Sequence, residues 1–96
     1  MIDLAKLNEG LNNLRGLDFE LAEAQERAAG NNFPEVSFSK SFQARLAALA
    51  LNVPVADIKE LPVRQFMEVC GATFNFIYGT SADATQSAKS EVSPST

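Results

Sequence analysis

Residues 61–78 read LPVRQFMEVCGATFNFIY, and this stretch decides the fold. Val63, Phe66, Met67, Cys70, Phe74, Ile77 and Tyr78 recur at spacings of three and four, so they share one face of an α-helix. Val69 and Phe76 widen that face. Pro62 suits the first helical position, where its missing N–H removes no hydrogen bond. Gly79 suits the position just past the end. The segment that follows, TSADATQSAKSEVSPST, has Val92 as its one bulky apolar residue. It cannot bury enough surface to offset the entropy of ordering, so residues 80–96 read as a flexible polar tail beside a domain at 1–79.

Upstream, Leu4, Leu7, Leu11, Leu14, Leu17, Leu21, Ala24 and Ala28 make a second apolar stripe at helical spacing. Asp3 is the expected N-cap and Gly30 the expected C-terminal glycine. The near-heptad rhythm slips between Leu14 and Leu21, so the helix is expected to be bent or interrupted. Gly10 and Gly16 each cost about 1 kcal/mol against alanine inside a helix. Gly30-Asn31-Asn32-Phe33-Pro34 then breaks the pattern. Alternation through Glu35–Phe38 predicts a short extended piece, kept out of any sheet interior by Pro34. A second main helix is expected from Ser39, capped by Ser39 or Ser41. Its FQARLAALAL run, residues 42–51, is apolar on every side after Arg45, the mark of a buried helix. Asn52-Val53-Pro54 stops it, and VADIKEL (55–61) reads as a short helical turn. The expected fold class is therefore all-α: three main helices, one short helical turn and a disordered C-terminal tail.

Ninety-six residues bound the chain to a single domain, and 46% apolar content is that of a globular protein. The net charge is −4. Without a basic stripe there is little to neutralise phosphates, which supply most nucleic-acid affinity. No run approaches the ~20 apolar residues that cross a bilayer, and the N-terminus does not read as a secretory signal. A single cysteine, Cys70, excludes an intrachain disulfide and fits a cytosolic setting. Neither nucleic acid nor membrane is an expected partner.

No histidine is present, which removes the commonest general base and metal ligand. The acidic pairs Asp18 with Glu20 and Glu23 with Glu26 read as solvated helix faces. Cys70, on an apolar face with no cationic neighbour in sequence, reads as a small buried hydrophobe. The expectation is a non-enzymatic protein with no cofactor or metal. RLAALALNVPVADIKEL resembles a helix-turn-helix. Its second helix, however, offers Asp57, Lys59 and Glu60, one cation against two acids, so DNA-binding regulation stands as the alternative. What remains is a binding surface. The aromatic helix divides into a core side at Phe66, Cys70 and Phe74 and a contact edge at Val69, Phe76 and Tyr78. The early leucines Leu4, Leu7, Leu11 and Leu14 divide between core and intermolecular contact. Two apolar helix faces on one small chain also predict a homo-oligomer.

The stretch LALNVPVADIKELPVRQFMEVCGATFNFIYG (49–79), with its loose polar tail, resembles the tail assembly chaperones of long-tailed, lambda-like bacteriophages. The resemblance covers roughly the second half of the chain: a short helix, a Leu-Pro break, and an amphipathic helix with phenylalanine near its end. It implies a late protein of the infected host cytoplasm that binds the tape measure protein, keeps it soluble, helps recruit tail tube subunits and is absent from the mature virion. It further implies that programmed ribosomal frameshifting yields a longer form contacting the tail tube protein. Ala88-Lys89 is where the slippery site is expected.

Overall fold

In the computed structural model, which describes residues 2–79, the chain forms five α-helices: α1 (Leu4–Asn13), α2 (Gly16–Ala28), α3 (Lys40–Leu51), α4 (Val55–Lys59) and α5 (Val63–Tyr78), with a 3₁₀ turn at Val36–Phe38. Among the described residues there is no strand. The all-α expectation holds; the first helix is interrupted at Leu14–Arg15, where the rhythm slips, so α1 and α2 are separate helices and, among the described residues, the main helices number four rather than the expected three. The expected flexible tail lies outside the described residues.

The break has a local cause. Leu14 and Arg15 are both extended, with ψ of 153° and 169°. Asn12, Asn13 and Gly16, which flank the break, are poor helix formers, so little local preference opposes it. Each new helix end is then satisfied. The Asp3 carboxylate accepts from the N–H groups of Ala5 (2.9 Å) and Lys6 (3.3 Å), capping α1. The Arg15 N–H donates to the Asp18 carboxylate at 2.8 Å, closing the start of α2. At its far end α2 finishes in a Schellman motif. Gly30, at φ 99°, donates to the Arg27 carbonyl, and the Asn31 N–H reaches back to that of Glu26.

The loop after α2 is held by one side chain. The Arg27 guanidinium donates to the backbone carbonyls of Asn31, Phe33 and Pro34 at 3.1, 2.7 and 3.3 Å. The extended piece expected at Glu35–Phe38 is instead the 3₁₀ turn. Backbone bonds from Phe38 to Glu35 and from Ser39 to Val36 close it, and Val36 and Ser37 are buried beneath it. The alternation would place Val36 and Phe38 on one side, but at three residues per turn the 3₁₀ turn divides them, burying Val36 and exposing Phe38.

Ser39 caps α3 as predicted, accepting from the Phe42 N–H at 3.2 Å. The all-round apolar pattern of α3 is explained by its position, for α3 touches every other element of the fold. Phe42, Ala44, Leu46, Ala47 and Ala48 are buried, and burying a ring such as Phe42 stabilises by roughly 1.5–3 kcal/mol. Phe19 of α2 packs edge-on against Phe42, with centroids 5.0 Å apart. Asn52, left-handed at φ 60°, ends α3. The Ala48 carbonyl accepts from Val53, and that of Leu49 from Asn52. Asparagine tolerates this conformation better than any other side-chain-bearing residue.

Pro62 precedes α5 as its N-cap rather than its first residue. Gly79 also departs from expectation. Its φ is −73°, so it does not use the left-handed region. A Cβ there would nonetheless lie 2.1 Å from the Asn75 carbonyl oxygen, a steric reason for glycine.

Gly10 is not the defect its sequence position suggests. A Cβ at Gly10 would lie 2.2 Å from the Ala50 carbonyl oxygen. Glycine lets α1 cross the end of α3 at backbone contact, which seats Leu7 and Leu11 in the core.

Candidate protein-binding face

The residues expected to bind a partner are distributed in three ways. Leu7, Leu11 and Val69 are buried and belong to the intramolecular core. The early leucine stripe thus packs chiefly within its own chain, leaving Leu4 exposed and Leu14 half-buried. Val69 cannot form an edge with Phe76 and Tyr78. It lies seven residues before Phe76, nearly the same side of the helix, but the side is turned further into the core at Val69. Tyr78 is two residues beyond Phe76, about 200° around the axis. Phe76 and Tyr78 are both exposed, at 40% and 44%, on opposite flanks of α5.

Phe76 borders a shallow apolar cleft where α1 turns into α2, lined by Leu11, Leu14, Phe19, Leu46 and Ile77 with Arg15 and Gly16 at its rim. Tyr78 belongs to another surface. Its ring lies 5.0 Å from Phe38 and 5.3 Å from Phe74, and Phe38 and Phe74 are 6.0 Å apart. Phe74 was expected in the core; it is exposed, with Phe38, Met67 and Val63. Phe66 and Cys70 do turn inward, half-buried and buried respectively.

Together Val63, Met67, Phe74 and Tyr78 form an apolar stripe along the outer side of α5, interrupted midway at Gly71 and extended sideways by Phe38. A groove of about 340 Å³ runs beside it, floored by Cys70 and Gly71 and bordered by Phe38, Lys40, Gln43 and Met67. Sequence reasoning missed Val63, Met67 and Phe38 as surface residues. The available signal was the width of the apolar arc. Core and stripe occupy adjacent sectors, and a chain with so few elements cannot cover both.

The stripe is fixed in place by polar contacts beneath it. The Ser37 hydroxyl donates to the Glu35 carboxylate at 2.8 Å and bonds the Tyr78 hydroxyl, tying the end of α5 to the 3₁₀ turn. Gln43, buried, donates to the Ser37 carbonyl at 3.1 Å. Aromatic rings held this way present area to a partner with little further entropy to lose.

Elsewhere the polar groups serve the fold. Glu26 is buried and accepts from Arg45 at 2.6 Å and Asn31 at 2.9 Å. Burial disfavours its charge, but the hydrogen bonds of Asn31, Arg45 and Ser41 and the adjacent guanidinium outweigh this and hold its carboxyl below the usual range. Burial pushes the Cys70 thiol up, against the opposing charge of Lys40. A thiol so placed is a poor nucleophile. Among the described residues no three of the metal-ligating types come together, and no helix is long and apolar enough to cross a membrane. The helix-turn-helix alternative maps onto α3 and α4. Its recognition helix has five residues, and the ammonium of its one cation, Lys59, donates to Ser41 at 2.8 Å. Compared with models of known families, with curated proteins and with solved structures, the chain matches none.

Proposed function

We propose that this chain is a non-enzymatic assembly chaperone that binds an amphipathic helix of another protein, and that it serves tail assembly in a long-tailed bacteriophage. One observation carries the binding reading: the exposed stripe of Val63, Met67, Phe74 and Tyr78, backed by Phe38. Isolated exposed apolar residues are normal, whereas a contiguous aromatic patch on a pinned helix marks a contact surface. Helix-in-groove recognition uses anchors at this spacing. The resemblance of residues 49–79 supplies the biological setting. In that setting the partner is the tape measure protein, a long helical chain whose apolar faces need cover until tube subunits enclose it. The chain then works in the cytoplasm of the infected cell and leaves before the virion is complete. A frameshifted longer form would recruit the tail tube protein.

The test is co-expression with the tape measure protein from the same genome, using wild-type chain and a Met67→Lys, Phe74→Lys variant. The wild type is expected to raise the soluble fraction of the tape measure protein and to co-purify with it, and the variant to do neither while remaining folded. An unchanged soluble fraction with the wild type refutes the reading.

A further inference from the structure

We infer that α5 also pairs with α5 of a second copy of this chain, antiparallel, about a two-fold axis at Gly71. Two glycines interrupt helix interiors in this fold, and they differ. Gly10 is used internally, against the Ala50 carbonyl, whereas a Cβ at Gly71 would meet nothing within 4 Å. A mid-helix glycine costs about 1 kcal/mol, and no contact within the chain accounts for this one. It sits in the exposed stripe at its midpoint, eight residues after Val63 and seven before Tyr78. An isologous contact requires such symmetry, since each residue meets the one equally far on the other side of the axis. Small residues at helix crossings let backbones approach closely.

The register names the contacts. Phe74, three residues past the axis, falls between Met67 and Glu68 of the other copy, and Met67, on its own face, offers it a sulfur–aromatic contact. Tyr78 falls against Val63 and Arg64, placing a guanidinium beside a phenol ring. Arg64 and Tyr78 lie on the same flank of α5, and like flanks face each other when helices run antiparallel. Among the described residues Arg64 makes no salt bridge.

The area sets the strength. Phe38, Val63, Met67, Phe74 and Tyr78 are 50%, 77%, 47%, 37% and 44% exposed. With about 200 Å² as the upper value for each side chain, they offer at most roughly 500 Å² per copy. Two copies can bury no more than about 1,000 Å² through these residues, the lower limit for a specific interface and short of the ~1,600 Å² of standard ones. The second copy is therefore a weak, reversible occupant, dissociating in the micromolar range or above. It covers the same face as the proposed chaperone contact, so the dimer is a stored form that a client helix displaces.

Sedimentation equilibrium from micromolar to millimolar chain tests the pairing. The wild type is expected to show a monomer–dimer equilibrium. Gly71→Ala is expected to weaken it at least tenfold while raising the melting temperature of the dilute monomer, so unfolding cannot explain the loss. Register is read by cross-linking in a Cys70→Ala background. Gly71→Cys, on the axis, is expected to form a disulfide-linked dimer, because the covalent bond traps the pair even though the added side chain weakens its reversible association. Met67→Cys is not, because its mate lies about eight residues, or 12 Å, along the helix and a disulfide spans at most ~7 Å between Cα atoms. A strict monomer at millimolar concentration, an unchanged equilibrium in Gly71→Ala, or equal cross-linking at both positions overturns the inference. A chain that dimerises this way but leaves the tape measure protein insoluble supports this inference and refutes the chaperone reading alone.

Discussion

Replacing Gly10 by alanine should destabilise the domain, against the propensity rule. Alanine in place of a helical glycine normally gains about 1 kcal/mol. Here the new methyl carbon would stand 2.2 Å from the Ala50 carbonyl oxygen, 2.8 Å from its carbon and 3.1 Å from its Cβ. Non-bonded contacts settle near 3.5 Å, so α1 must retreat from α3 by about 1 Å. The obstacle is backbone at a helix end, which cannot rotate aside as a long side chain would. Retreat also loosens Leu7 and Leu11, both buried by this crossing. Overpacking of this kind costs about 1–3 kcal/mol, and occasionally more. With the propensity gain subtracted from a cost at the upper end of that range, the expected net loss is about 1–2 kcal/mol. For a domain of this size that lowers the melting temperature by roughly 4–16 °C, taking about 4–8 °C per kcal/mol. Thermal unfolding followed by circular dichroism at low micromolar chain measures it, with Gly71→Ala as the matched control. The control should gain up to about 1 kcal/mol, since its Cβ enters open space. If Gly10→Ala melts at or above the wild-type temperature, the close crossing of α1 and α3 is wrong.

Glu26, Ser39 and Cys70 supply three further outcomes. Glu26 has its carboxyl pKa lowered in the fold, so the unfolded chain binds the extra proton; stability from this site is complete above the unfolded value and lost as pH falls through the folded one. Urea midpoints between pH 7 and pH 3 should decline in the wild type and decline less in Glu26→Gln, which should itself start about 1–3 kcal/mol lower at pH 7 because Arg45 loses its partner; parallel declines would remove Glu26 as a source of the acid sensitivity. Ser39→Ala should cost about 1–2 kcal/mol in chemical denaturation, at the high end for a cap, because the same hydroxyl also bonds Asn31 and the Val36 carbonyl; a loss under 0.5 kcal/mol would show the cap to be redundant. Cys70, buried with its thiol pushed up, should react with a disulfide reagent only at the rate of local opening, and fast labelling in native buffer would contradict its place under the groove.

Helix identity was legible because period and punctuation agreed. Asp3, Gly30, Ser39 and Asn52 all act at helix ends, and each is a residue whose local chemistry fixes backbone geometry without help from the rest of the fold. The limits of legibility are equally physical. The 3₁₀ turn at Val36–Phe38 follows a loop whose carbonyls Arg27 gathers, reaching Pro34 from seven residues upstream, a contact that no window of alternation contains. The division of α5 into core and surface depends on which sector α3 and α1 cover. Val69 and Phe74 are both apolar and both lie on the wide face; only packing buries the first and exposes the second.

Glycine carries the same lesson further, into function. In sequence, Gly10 and Gly71 are equivalent faults in amphipathic helices. In the fold one is a crossing point where two backbones touch, and the other is a gap over a groove bordered by Phe38, Met67 and Phe74. A helix interior tolerates glycine where the space its side chain would fill is taken by something else. For Gly10 that occupant is Ala50. For Gly71 the inferred occupant lies outside the chain, and the apolar residues on either side set the character it would need: a helix, approaching closely, with apolar anchors of its own. A client helix and a second α5 both meet that description. On the proposed reading, a chaperone whose own helix imitates its client would keep its binding face covered between clients, because a weak self-contact of at most about 1,000 Å² would yield to any helix that buries more.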